Sequence, residues 1–461
     1  MTQRLARAVL SLAVLWAPGG CAGSRDASYS PEPRPLGADL PAFHAPERPG
    51  NGPQPSPPIE EPAGDLTLGE ALALTLIRNP ELAAFSWEVR AQEARALQAG
   101  LRPNPALALE VENVAGSGHA SGFGNAETTI SLSQLLELSG KRGKRQRLAE
   151  LDRDLAAWDY ETVRLELLTA VTRTFVGLLA AQERLRLAED LVQVAEEALA
   201  DVSRRVRAGA VSPVEETRAR VELSTSRLDR LAAQQECNAV RVRLAASWGG
   251  GAPRFARAVG TLEPLAPPPA LEHLLDRIDQ NPDIARGKAE RAQREADLGL
   301  QRALGTSDIE VEGGVRRMGE SSEHAFVVGL ALPLPVFDRN QGSRREAEIR
   351  VARAGEEHRA RTVRARSNLV VAHGSLIAAY EEITVLETAI LPDAESALVT
   401  AREAHRKGLF GFTDFLDTQR TLFELRGRRF DALARYHRAV ADIERLIGEP
   451  LSGIGGSDAK N

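Results

Sequence analysis

The heptapeptide RNPELAA at residues 78–84 returns about 200 residues later as QNPDIAR at 280–286, so Asn79-Pro80 stands opposite Asn281-Pro282. Three more matches keep that order and offset. Glu110-Val111-Glu112 recurs as Glu310-Val311-Glu312, and SLSQLLELSGKRGKR from Ser131 is echoed by GLALPLPVFDRNQGSRR from Gly329. RAGAVSPVEETRA (207–219) matches RKGLFGFTDFLDTQ (406–419), which sets Gly209 opposite Gly408. Four ordered matches at one spacing define two structural repeats, 66–250 and 268–450, joined by a Gly- and Pro-rich linker at 251–267.

Each repeat has one internal order: helix, helix, two alternating segments, then a long helical hairpin. Proline at position 80 suits the first turn of a helix, where a missing N–H is no loss. Leu107, Leu109 and Val111 alternate with Ala108, Glu110 and Glu112, and Ile130 and Leu132 alternate with Thr129, Ser131 and Ser133. In the second repeat Ile309, Val311 and Val315 oppose Glu310, Glu312 and Arg316, followed by Phe326, Val328, Leu330 and Leu332. The pattern predicts strands at about 105–115, 126–138, 307–317 and 324–335. Their length of roughly 9–11 residues is that of a tilted membrane-crossing strand. The same pattern also fits half-buried hairpins of a soluble domain.

The helical hairpins are expected at about 141–248 and 343–448, with tips near 209 and 408. Leu185, Ala188, Val192, Ala195, Leu199, Val202 and Val206 advance by 3 and 4, a heptad seam. Val214, Thr217, Val221, Ser224, Leu228 and Leu231 continue it on the returning helix. Some 65 helical residues make a rod of roughly 100 Å, which must pair along its length. No helix is expected to span a membrane, because the run LLTAVTRTFVGLLAA (167–181) is broken by Arg173 and framed by Glu166 and Glu183. Four strands leave open edges in lipid, whereas twelve from three chains close a barrel with an aqueous lumen.

The 461 residues carry a net charge of −6, with 4% aromatic and 26% charged residues, the composition of long packed helices and not of a nucleic-acid surface. Residues 1–20 read as a signal peptide, with Arg4 and Arg7 before the apolar run from Ala8 to Ala17. Cys21, directly after Gly19 and Gly20, is expected to be lipidated, and residues 21–65 form a Pro-rich tether. Cys237 is read as a small buried hydrophobe, and 451–461 as a flexible tail. The eight histidines are scattered without HExxH or a Cys-His cluster, and no GxxxxGK[ST] loop occurs, so neither a catalytic set, a cofactor nor a tight metal site is expected.

LELSGKRGKR (136–145), RAGAVSPVE and PLPVFDRNQG (333–342), carried on the duplicated plan, resemble the TolC-like outer-membrane factors of tripartite efflux systems, in particular the CzcC-like heavy-metal branch. That resemblance covers nearly all of the chain after the tether. It implies a mainly α fold with a small transmembrane β part, built as a homotrimer whose twelve-stranded outer-membrane barrel continues as a periplasmic α-helical barrel. It also implies an adaptor (membrane fusion protein), an inner-membrane RND pump, and divalent cations such as cobalt, zinc or cadmium as cargo; multidrug relatives share the architecture. Asp414, Asp417, Thr421 and Glu424 form one polar stripe after the glycine turn. The resemblance makes Asp414 and Asp417 a cation-attracting ring at the periplasmic gate, while the residues alone also fit a solvated helix start favoured by the helix dipole. In the first repeat Glu215 matches Asp414, but Arg218 replaces Asp417. The relatives' tyrosine and arginine locks fall on His405 and Phe410, which cannot make those links. The tips, with Gly209, Val211, Gly408 and Phe410, become the expected adaptor contacts. The competing readings are a non-pore coiled-coil adaptor, which usually carries a single hairpin, and an enzyme using the aspartate pair, which lacks a pocket. Cys21→Ser is expected to abolish incorporation of labelled fatty acid into the protein.

Overall fold

The computed structural model describes residues 29–32, 34–49, 60–263, 265–321, 323–407 and 409–451. The signal region, Cys21, Gly408 and residues 452–461 lie outside the described residues. In chain order the elements are β1 (Asp65–Leu66), α1 (Leu68–Arg78), α2 (Pro80–Ala99), β2 (Ala106–Glu112), β3 (Glu127–Leu136), α3 (Lys141–Arg207), α4 (Pro213–Ala246) and β4 (Arg257–Ala258). They continue with α5 (Leu271–Leu275), α6 (Pro282–Leu304), β5 (Ile309–Arg317), β6 (His324–Ala331), α7 (Gln341–Val385), a π-helical turn (Leu386–Ile390), α8 (Leu391–Arg406) and α9 (Phe412–Ile447).

The repeated Asn-Pro pair ties each half together. Asn79 Oδ1 accepts from the Leu82 amide at 2.9 Å, capping α2, while its Nδ2 donates to the Ser247 carbonyl at 2.7 Å. Asn281 caps α6 by accepting from Asp283 and Ile284, and its Nδ2 donates to the Leu446 carbonyl at 2.9 Å. Both asparagines are buried, and each therefore joins the start of its helix to the end of its own hairpin. Around these joints sit two apolar clusters, one with Leu74, Phe175, Leu178, Trp248 and Phe255, the other with Leu369, Leu376, Leu433, Ile443 and Ile447.

The long helices stand side by side in the order α4, α3, α9, α7/α8, with α2 and α6 packed on α3 and α6 also on α7. At 1.5 Å per residue, the 67 residues of α3 extend about 100 Å. In the second hairpin the π-turn falls just before Pro392, whose ring and missing N–H disfavour a regular helix there. Beyond the joints the strands form one antiparallel sheet of order β2-β3-β5-β6, so β3 of the first repeat pairs with β5 of the second. The strands are shorter than the sequence pattern predicts. β2 stops before Asn113, which takes a left-handed φ of 57°, and β6 stops before Pro333 and Pro335.

Several expectations are corrected. On α4 the predicted stripe faces outward, with Val214, Val221, Leu228 and Leu231 exposed. The helix buries Ala219, Leu223, Ser226, Cys237, Val240 and Leu244 instead. The described part of the predicted tether is not a free spacer. Asp154 on α3 accepts from the Tyr29 amide at 3.1 Å and the Ser30 hydroxyl at 2.7 Å, and Trp158 Nε1 donates to the Tyr29 carbonyl at 2.7 Å. Arg164 donates to the Leu36 carbonyl and Tyr160 to that of Phe43, so polar side chains of the helices supply the backbone partners that a Pro-rich segment lacks within itself. The linker is also packed: Phe255 and Ala258 are buried, and β4 runs parallel to β1.

Finally, the stretch Gln341–Arg406 is long and apolar enough to cross a membrane by length and composition. It exceeds the run 167–181 because it is apolar on two sides. Leu369, Leu376 and Ile383 enter the core, while Val363, Val370, Ile377 and Val399 face outward. Asn281→Ala removes a helix cap and leaves a buried carbonyl without a donor; about 2–4 kcal/mol of stability should be lost, read as a lowered midpoint of helix unfolding in detergent.

Candidate functional site: the strand face and the hairpin tips

The register of the four strands sorts their side chains into two chemically opposite faces. Leu109, Ile130, Val315 and Phe326 lie in one cross-strand row, and Leu107, Leu132, Gly313 and Val328 in the next. Two further rows, Gln134–Val311–Leu330 and Leu136–Ile309, continue the same face, with Leu332 following β6. Four rows two residues apart cover about 20 Å along the strands. Most of this face is bare: Leu107 is 75% exposed, Phe326 75% and Val328 84%. At one side the band gives way to the row Val111–Thr128–Arg317–His324, in which Val111 is the one apolar member.

The opposite face is small and polar. Near the hairpin-loop end of this face Arg316 donates from Nε to Thr129 Oγ1 at 2.9 Å and pairs with Glu112 at 2.9 Å and Glu127 at 3.1 Å. At the base of the sheet Lys141, buried at the start of α3, pairs with Asp308 at 2.8 Å, and Asp308 also accepts from the Leu138 amide. Burial pushes the Asp308 carboxyl up, but the bonds from Lys141 and Leu138 and the nearby charges of Lys141 and Arg145 outweigh it and hold it below its usual range. This contact fastens the second repeat's strand to the first repeat's long helix.

At the far end the tips come together. Gly209 takes φ 70° after α3, and its amide and that of Ala210 donate back to Val206 and Arg205, the left-handed stop that glycine permits. Ser212 and Pro213 then start α4, with the serine hydroxyl accepting from Val214. Val211 and Phe410 are half-buried, packed against a cluster of Val202, Ala219, Ala401, Phe412 and Phe415. Among the described residues Leu409 and Val214 are the exposed large apolar side chains at the tips; Leu409 was not singled out in the sequence, and Val214 was read only as part of a seam.

Asp414 and Asp417 are both exposed on the first turns of α9, and among the described residues neither carboxylate has an ion-pair or hydrogen-bond partner. The α9 backbone carries them outward because Phe412, Phe415 and Leu422 turn inward. Arg218 reaches across from α4 to Thr413 Oγ1 at 3.1 Å, and Arg420 pairs with Glu222 at 3.1 Å. His405 meets a residue that sequence reasoning missed: Arg205 Nη1 lies 3.0 Å from its Nε2, while its Nδ1 is 3.1 Å from the Phe410 carbonyl oxygen. Arg205 reads in sequence as one of several cations closing a helix. Its only other signal is the repeat offset, which puts it within one residue of the position equivalent to His405. Among the described residues no group of three or more His, Cys, Asp or Glu side chains is placed to hold a metal ion.

A sheet apolar on one face and polar on the other, fixed to helical hairpins about 100 Å long, is the build of an outer-membrane channel subunit. The chain belongs to the outer membrane efflux protein family, whose profile matches it twice, at residues 71–250 and 276–449. It is 36% identical over 388 residues to the cobalt-zinc-cadmium resistance protein CzcC of Cupriavidus metallidurans, covering 84% of this chain and 91% of that one. It is 28% identical over 309 residues to the nickel-cobalt-cadmium resistance protein NccC of Alcaligenes xylosoxydans xylosoxydans, covering 67% and 68%. Among solved structures it is similar to the outer membrane protein VceC of Vibrio cholerae, with a TM-score of 0.71 at 19% identity, covering 83% of this chain and 96% of that one. The CzcC-like resemblance read from the motifs is thus matched, and the chain is a transport protein and not an enzyme.

Val328→Arg on the apolar face should cost about 2–4 kcal/mol on membrane insertion, and Ala108→Arg on the polar face much less. Urea unfolding in lipid vesicles compares the two.

Proposed function

We propose that three copies of the chain close their sheets into a twelve-stranded outer-membrane barrel, continued into the periplasm by a cylinder of the long hairpins. The observation that carries this reading is the sheet's two free edges: among the described residues β2 and β6 have no partner strand beyond them, on a sheet whose apolar face is bare. In hydrocarbon each unpaired backbone group costs several kcal/mol, so edge must meet edge. The helical wall gives parallel support. Its flanking helices, α4 and α7/α8, both expose apolar stripes at heptad spacing, Val214–Val221–Leu228 on one and Val363–Val370–Ile377 on the other. A head-to-tail ring pairs both kinds of edge with one rotation.

The channel conducts passively, as the outer-membrane part of a tripartite system with a periplasmic adaptor and an inner-membrane RND pump. Similarity to CzcC and NccC supports divalent heavy-metal cations as cargo. Threefold symmetry would gather six carboxylates, Asp414 and Asp417 of each protomer, at the periplasmic mouth, where they attract cations and repel anions. The tips around Gly209, Val211, Gly408 and Phe410 form the adaptor contact, and outer-membrane lipids surround the barrel. An acyl chain on Cys21 would add a second anchor, with the 29–49 segment strapped to α3 leading toward it.

Purified trimers in a planar bilayer should conduct ions; inserted trimers with no conductance would sink the channel reading. The double variant Asp414→Asn/Asp417→Asn should lower the cation-to-anion permeability ratio several-fold, read as a shift in reversal potential under a salt gradient, and should weaken block by divalent cations. Unchanged selectivity would remove both residues from the gate.

A further inference from the structure

We propose that the Arg205–His405 contact is a proton-sensitive latch between the two hairpin tips, closed while the imidazole is neutral and released when it takes up a proton. The inference deepens the channel reading and rests on it for its consequence at the mouth. The bonding pattern assigns the tautomer. A guanidinium only donates, so His405 Nε2 must accept from Arg205 across 3.0 Å, and the ring proton stands on Nδ1, where it donates to the Phe410 carbonyl at 3.1 Å. Both nitrogens of the neutral ring are thereby used.

The ring is also held in place. It stacks on Phe415 with centroids 5.5 Å apart and planes 16° apart, and Phe412 stands 5.8 Å away. It therefore cannot swing free without disturbing the apolar cluster that joins the tips. A proton on Nε2 turns the acceptor that faces Arg205 into a donor and sets two cations against each other. Arg205 ends the first hairpin's outgoing helix and His405 ends the second's, so their separation parts the two tips.

The charged groups on the elements around the ring set the context. On α3 these are Asp201 and Arg204, which pair with each other, and Arg207. Glu215, Glu216 and Arg218 come from α4, with Glu216 held by Ser203 and Arg220 and Arg218 by Thr413. Asp414 stands at the start of α9, and Arg402, Glu403, Arg406 and Lys407 flank His405 on its own helix and turn. Among the described residues no carboxylate makes an ion pair with the ring that would offset the loss of the Arg205 bond. The other contacts across the tips, Arg218 with Thr413 and Arg420 with Glu222, contain no imidazole.

The test uses full-length trimers carrying spin labels at Ala208→Cys and Lys407→Cys, with tip distances measured by pulsed electron resonance over a pH series from about 8 down to about 5. The parent chain should lengthen by several ångströms on acidification. His405→Gln, whose amide oxygen still accepts from Arg205 but does not titrate, should hold the short distance across the series; Arg205→Gln should be long throughout. The latch is overturned by a parent distance that does not change with pH, or by a His405→Gln protein that keeps the change. In a bilayer, conductance of the parent should rise several-fold over the same range and that of His405→Gln should not. A distance change without any conductance would leave the latch standing and remove the channel reading instead.

Discussion

Backbone groups at the ends of an open sheet must find partners, and that single requirement organises the molecule. The sheet ends on β2 and β6. Its bare face carries Leu, Ile, Val and Phe in register, and its other face carries the Arg316 network with Glu112, Glu127 and Thr129. Such a sheet is unstable alone in water because of the first face and unstable alone in lipid because of its edges. The proposed closure among copies would answer both demands. The proposed ring would also cover the apolar stripes of α4 and α7, which stay exposed among the described residues.

Duplication supplies the rigidity that closure needs. Asn79 and Asn281 make equivalent bonds, each to a carbonyl at the end of its own hairpin, so each repeat is a closed loop of structure pinned at one buried amide. The repeats are then sewn together by contacts with no counterpart in either one alone: β3 against β5, Lys141 against Asp308, Arg205 against His405. These joins lie at the sheet, at the junction below it and at the tips. A displacement at one end is thus resisted along the whole length, while the tip joins are made by few groups and are the easiest to alter.

The tips show how departures within the repeat acquire meaning. Arg218 replaces the second acidic residue of the pair and spends its charge beside Asp414, on Thr413. The two ring nitrogens of His405 face Arg205 and the Phe410 carbonyl, one as acceptor and the other as donor. Among the described residues Asp414 and Asp417 are exposed and unpaired, an arrangement that would be costly in a core.

Much of the plan was legible in the chain. Asn-Pro at two places marked the capped helix starts, alternation over 7–10 residues marked the strands within a few positions, and the glycine at 209 marked a tip. These features are local: a cap, a pleat and a left-handed turn depend on neighbours close in sequence, and sequence records them directly. What the sequence could not reveal was which side of a helix would be inside. On α4 two stripes compete, Val214–Val221–Leu228–Leu231 and Ala219–Leu223–Cys237–Val240–Leu244, and hydrophobicity alone does not choose between them. The N-terminal prolines likewise suggested a free spacer, since only the folded α3 brings Asp154, Trp158 and Arg164 into line to bind that segment's backbone. The pairing of Arg205 with His405 joins residues 200 positions apart and exists only once two hairpins stand side by side. The sequence by itself determined the elements and their duplication; the tertiary structure decided which faces and charges meet, because those choices depend on distances between helices that no local pattern encodes.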